Sequence, residues 1–167
     1  MLKKALISLG IAVAIGTAYW LIAPLFIDVQ VSESLGDIYR EMDGRGLEGA
    51  DQRGSEQAQA PALEVIRRGT FVSLAGHSAE GTATLVKIGE KHYVRFENDF
   101  RMTNGPDLFV HFGKNDAYAV EARLGALKGN VGGQNYEVPE GIDPTQYDEV
   151  WVWCRAFAVP FGMATLN

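Results

Sequence analysis

Hydrophobic and polar positions change rhythm twice along the 167-residue chain. From Ala5 to Ile27 no charged side chain occurs, and Leu, Ile, Val, Ala and Phe dominate a run of 23 residues. At about 1.5 Å per residue, a helix of that length crosses a hydrocarbon core of roughly 30 Å with some tilt. The run predicts one N-terminal transmembrane helix, with residues 1–27 as anchor and residues 5–27 in the lipid bilayer. Lys3 and Lys4 precede it, whereas Asp28, Glu33 and Asp37 follow. The positive-inside rule then places the N-terminus in the cytoplasm and the rest facing the periplasm or the exterior. Tyr19 and Trp20 fall where amphipathic aromatics meet the outer interface, and Pro24 is tolerated near a helix end. A cleaved signal peptide is the competing reading. The length of the run, with no small-x-small cleavage site after it, favours a retained anchor in a single-pass protein of the cell membrane.

The second rhythm is polar. Residues 28–60 hold eight acidic and three basic side chains with scattered glycines, the composition of a solvated spacer, and the segment 28–63 is read as acidic and flexible. Within it Leu35, Ile38, Tyr39 and Met42 follow helical spacing and predict a short amphipathic helix, while Ala62–Arg68 reads as a short helical or turn segment.

From Gly69 onward, in a globular domain expected over residues 64–167, the pattern becomes short runs rich in Val, Thr, Phe, Tyr and Trp, punctuated by Gly, Asn, Asp and Pro. Strands are expected near Thr70–Leu74, Thr82–Ile88, His92–Phe96, Leu108–Phe112, Ala119–Leu124, Asn135–Val138, Val150–Val159 and Met163–Leu166, with a hairpin at Gly89-Glu90-Lys91. The fold class is all-β, an antiparallel sandwich or barrel-like domain, because no helical stretches alternate with the strands. In Val150–Val159 the period of two puts Val150, Val152, Cys154, Ala156 and Ala158 on one face. Trp151, Trp153, Arg155, Phe157 and Val159 fall on the other, the pattern of a central strand covered on both sides.

Charge and cysteine narrow the chemistry. Residues 28–167 carry 13 basic and 21 acidic side chains, net -8, so nucleic acid, which needs a basic footprint, is excluded as a partner. The single cysteine, Cys154, rules out an intrachain disulfide framework. Free cysteine is commonly a small core residue. Its alternative role is a redox thiol or a sulfur ligand, for which His77, His92, His111, Met102 and Met163 are the candidate companions. His77, in the loop Gly76–Gly81, is the best placed of these, because loops carry function. His111 alternates within a strand and reads as a sheet-face histidine satisfied by a carboxylate. A blue-copper site fails on spacing: no histidine follows Cys154, and Met163 lies nine residues on, across Pro160.

No catalytic constellation emerges. Asn104-Gly105-Pro106-Asp107 fits a turn fixed by side-chain-to-backbone bonds, and Gly125–Gly133 lacks the strand-to-helix setting and lysine of a phosphate loop, leaving a hairpin or long turn.

The ordered series Gly69-Thr70-Phe71, Gly76-His77, Gly81-Thr82-Ala83, Phe100, Gly105-Pro106-Asp107-Leu108, Leu127-Lys128-Gly129, Gly133–Pro139, Val152-Trp153-Cys154, Phe157 and Phe161-Gly162 resembles the DM-thirteen domain, the Skeletor-associated electron transfer DM family, over about residues 64–167. Short microbial members look like this chain, with a membrane segment, a spacer and one domain. The resemblance implies electron transfer or oxidative modification at a cell surface, with Cys154 as bare thiol or as ligand to a group such as haem. His77, from its place in a loop, is the second member expected beside it. The identity of any bound metal is not given by these residues. The rival reading is a non-enzymatic binding or adhesion module for a cell-surface ligand, with Cys154 packing the core.

Overall fold

The computed structural model describes residues 2–22, 27–47 and 61–167. Two helices, α1 (Leu2–Ile22) and α2 (Leu35–Leu47), precede ten strands. These are β1 (Leu63–Ser73), β2 (Ala79–Glu80), β3 (Thr82–Ile88), β4 (Lys91–Phe96), β5 (Arg101–Met102), β6 (Leu108–Gly113), β7 (Tyr118–Ala126), β8 (Gln134–Glu137), β9 (Glu149–Cys154) and β10 (Val159–Thr165). Eight of them form one antiparallel sheet in the order β7-β6-β9-β10-β1-β3-β4-β8, and β2 pairs with β5 apart from it. Strand β1 joins the two halves. Its first part, Leu63–Thr70, pairs with β3, and its last residues, Phe71–Ser73, pair with β10. The sheet curls until its edges meet, where Lys128 N donates to Tyr136 Oη at 3.1 Å, giving a nearly closed barrel. Between those edges lies a cleft of about 550 Å³, lined by Leu124–Ala126, Tyr136 and Glu137 and flanked by α2.

Period-two alternation fills the barrel. Val150, Val152 and Cys154 point inward with no exposed surface, beside Leu85, Val94, Val110 and Phe112 from neighbouring strands. Phe71, Phe96, Phe100 and Tyr136 pack as a tilted aromatic cluster with centroids 4.6–5.2 Å apart. The all-β, barrel-like expectation therefore holds, with three local corrections. The expected helical or turn segment Ala62–Arg68 belongs to β1, because pairing with β3 overrides its weak local preference. The single strand expected over Val150–Val159 is two strands, β9 and β10, joined by a turn at Arg155–Ala158 in which Ala158 takes a positive φ of 52°. Trp151 and Trp153 keep the outward face, but Arg155 and Phe157 are turn residues. Strands β2 and β5 had no sequence signal.

Among the described residues no helix is long and apolar enough to cross a membrane. Residues 23–26 of the expected span lie outside the described ones, as do residues 48–60 of the expected spacer.

What is described of the spacer lies on the barrel. Residues 27–34 run along the segment 129–133 as a strap, with Gln30 bridged in parallel to Val131. Val31 N donates to Val131 O and Glu33 N to Gly133 O, each at 2.9 Å. The glycines read from sequence as a long turn are the strap's seat, since a Cβ at Gly129 or Gly132 would strike the carbonyl oxygen of Val29 or Val31. Ser34 then starts α2, with Asp37 reaching back to its N–H and hydroxyl at 2.6 and 2.8 Å. Ile38 of α2 is buried against Val86, Ile88 and Tyr93, as its helical spacing predicts.

Candidate functional site

Cys154 ends β9, where it pairs with Leu108 of β6 and Val159 of β10. Its thiol is fully buried, and Sγ donates to Pro106 O at 3.1 Å. This bond uses the thiol's own proton. Residues 104–107 form a turn over the end of the barrel, with Asp107 at a positive φ of 60° and Asn104 Oδ1 accepting from Gly105 N. Two further attachments hold the turn down. Arg155 N donates to Asp107 O at 3.0 Å, and the Arg155 guanidinium forms a bidentate pair with the Asp107 carboxylate at 2.8 and 2.9 Å. That guanidinium lies 4.6 Å from the centre of the Phe109 ring. Asp107 thus holds Arg155 rather than its own turn. Cys154 sits beneath this clasp.

His77 occupies the β1–β2 loop, which turns through positive φ at Ala75 and Gly76. The ring lies flat on Phe161, centroids 3.6 Å apart and planes 10° apart. Partial burial lowers its pKa, so the neutral imidazole is favoured. The Phe161 ring in turn reaches the clasp, since a Cβ on Gly105 would meet its Cζ at 2.7 Å. Ser78 N donates to Thr103 Oγ1 at 2.9 Å, tying the His77 loop to the strand entering the same turn. The structure therefore brings Cys154 and His77 to one end of the barrel, with Phe161 between the histidine and the clasp and no hydrogen bond joining the two.

The other sequence candidates lie elsewhere. His92 is on β4 opposite Lys87, towards the far end. His111 is buried on β6, where Nδ1 meets Ala119 O at 3.1 Å, so a backbone carbonyl and not a carboxylate satisfies it. Burial, and then Arg123, lowers its pKa. Met102 and Met163 are core residues.

A haem or metal ion does not fit this arrangement. Cys154 has no exposed surface for an iron to reach, and its thiol is bonded to Pro106 O. Among the described residues no group of three or more His, Cys, Asp or Glu is placed to hold a metal.

Sequence reasoning missed the groups that secure this end of the barrel. Gln134 is fully buried and makes four bonds: Nε2 to Gly129 O (2.9 Å) and Gly132 O (3.3 Å), and Oε1 from Gly129 N (3.2 Å) and Tyr136 Oη (2.5 Å). Burial pushes the Tyr136 hydroxyl's pKa well above its ordinary value. Arg95, also buried, donates to Glu33 O, Asn135 Oδ1 and Glu97 Oε2. The only sequence signal of Arg95 was a charge inside the predicted strand His92–Phe96, and Gln134 stood just before the predicted strand Asn135–Val138, within the run that carries the family resemblance.

One cleft adjoins the clasp. Tyr19 and Trp20, near the end of α1, line about 410 Å³ together with Ile27, Val29 and the Asn104–Asp107 turn. Asn104 Nδ2 donates to Ile27 O at 2.7 Å across it.

No curated protein and no solved structure matches the chain. A family model described as Electron transfer DM13 matches residues 70–166, which include the Cys154 clasp, the His77 loop and all of the barrel but the start of β1. With that match covering more than half of its length, the chain belongs to the Electron transfer DM13 family.

Proposed function

We propose that the chain is a membrane-tethered, extracytoplasmic electron-transfer module whose redox group is the bare thiol of Cys154, with His77 as the second polar member of its site. The observation that carries this reading is the placing of the one thiol under a turn fastened by surface groups. The family suggests a redox or electron-transfer role. With one cysteine, a second sulfur or another electron acceptor comes from a partner. Support for the tether comes from α1, whose apolar side chains are exposed on every side and whose only charges are Lys3 and Lys4 at its start. The uncharged run continues in the sequence to Ile27.

One observation favours a second reading. The Cys154 side chain is enclosed by the main core, which is how a merely structural cysteine looks, and the module would then bind a cell-surface ligand without redox chemistry.

The test pairs a thiol titration of the native protein with absorption spectra before and after dithionite, on protein produced with haem and copper supplied. A thiol that titrates slowly while the fold is intact, with no reducible band, supports the bare-thiol module. A reducible band lost in Cys154→Ser would make the sulfur a ligand instead. A featureless spectrum with a thiol that reacts only after unfolding would overturn the redox role in favour of the binding module.

A further inference from the structure

The barrel has two ends, and the course of the chain decides which of them stands next to α1. Ile27 and Val29 are held at the clasp end, by Asn104 and by Asn130, whose Oδ1 accepts from Val29 N at 2.7 Å. From there the strap and α2 climb to the far end, where Met42 approaches Gly89 in the β3–β4 hairpin. The side chains of the clasp end match this placing. Phe157, at the tip of the β9–β10 turn, is 57% exposed, Ile27 55% and Val29 47%. Val120, Leu63 and Val65 are also exposed towards the far end, but the apolar groups of the clasp end are the ones that adjoin the uncharged stretch of α1, and together they call for a hydrocarbon neighbour. Tyr19 and Trp20 bound the cleft that joins helix to clasp, and aromatics of this type settle at the headgroup level of a bilayer.

From this placing we infer that the Cys154 end of the barrel rests on the lipid surface, with Phe157 dipping into the interfacial layer. The occupant of the apolar end is the bilayer that holds α1, so the inference rests on the tether reading. A redox partner of Cys154 then approaches within, or along, the membrane.

The experiment uses the full chain in a Cys154→Ala background, reconstituted into phosphatidylcholine vesicles with a fraction of lipid spin-labelled near the headgroup. An environment-sensitive thiol dye is placed at Phe157→Cys or, at the far end, at the exposed position Glu140→Cys. Flotation reports the tether, and quenching by the labelled lipid reports which end faces it. The expected result is flotation of both variants, with several-fold stronger quenching at position 157 than at 140. Flotation with equal quenching, or with stronger quenching at 140, overturns the orientation and leaves the tether standing. Failure to float overturns the tether, and the orientation with it.

Discussion

Gln134 and Cys154 are both fully buried side chains that reach out of a strand to hold a loop, and they hold it very differently. Gln134 makes four hydrogen bonds inside the protein, to two glycines and a tyrosine, and the loop it closes is the seat of the strap. Cys154 makes one bond, from a weak S–H donor, and the rest of its clasp is the backbone bond from Arg155 and an ion pair whose arginine is 62% exposed. A buried amide network has no low-energy way to open, because every freed group lacks a partner. The clasp's ion pair can exchange with water, leaving the backbone bond from Arg155 and the thiol's own bond to hold the turn. One end of the same sheet thus carries a closure made of buried bonds and one made partly of surface groups, and the second covers the thiol.

The sharpest way to break this contrast is Gln134→Leu. It strands the groups of Gly129, Gly132 and Tyr136 that now bond to it, at about 1–3 kcal/mol for each one left without a partner. Urea unfolding should show a loss of several kcal/mol, or no folded protein; a loss under about 1 kcal/mol would show that the amide is not the knot described. Next is Gly132→Ala. It puts a side chain at a φ of 93° and against the carbonyl of Val31, costing about 1–3 kcal/mol. Amide exchange at Val31 and Glu33 should quicken, because their bonds to Val131 and Gly133 define the strap, and unchanged protection would rule out that docking.

Smaller still is a pH effect. His77 and His111 both have pKa values lowered by burial, so the unfolded chain takes up their protons first as the pH falls. Stability should be complete above the ordinary histidine value of 6.5 and should decline as the pH drops through it towards the lower folded values. Replacing His77 with Phe should flatten part of that slope in a denaturation series across this window.

The least stability change of all is expected for Arg155→Ala, which removes an exposed ion pair and should leave the unfolding midpoint nearly in place. It should nonetheless raise the labelling rate of Cys154 in native protein several-fold. If the rate stays fixed, the clasp does not gate the thiol.

Much of the barrel was legible in the sequence, because a strand with one face in the core writes its period directly, as Val150, Val152 and Cys154 do. The break between β9 and β10 was not, since Arg155-Ala156-Phe157-Ala158 continues the apolar alternation, and the turn is imposed by Asp107 and by Ala158's left-handed backbone. Cys154 and His77 were found by residue type. Their shared end could not be, because it depends on Phe161 and Gly105, which look like ordinary core and turn residues. The role of Gly129 and Gly132 was hidden for a related reason: a glycine selected by the backbone of a distant segment carries no local mark of that segment.

If the proposed tether holds, the docked strap also limits how the domain would search for a partner. A free 33-residue coil would average about 30 Å between its ends and sweep a hemisphere above the bilayer. Residues 27–34 are instead fixed along the barrel, so this part of the spacer adds no reach. On the proposed tether, a domain docked in this way would meet membrane-bound partners by two-dimensional diffusion, at a rate set by their density per area of membrane.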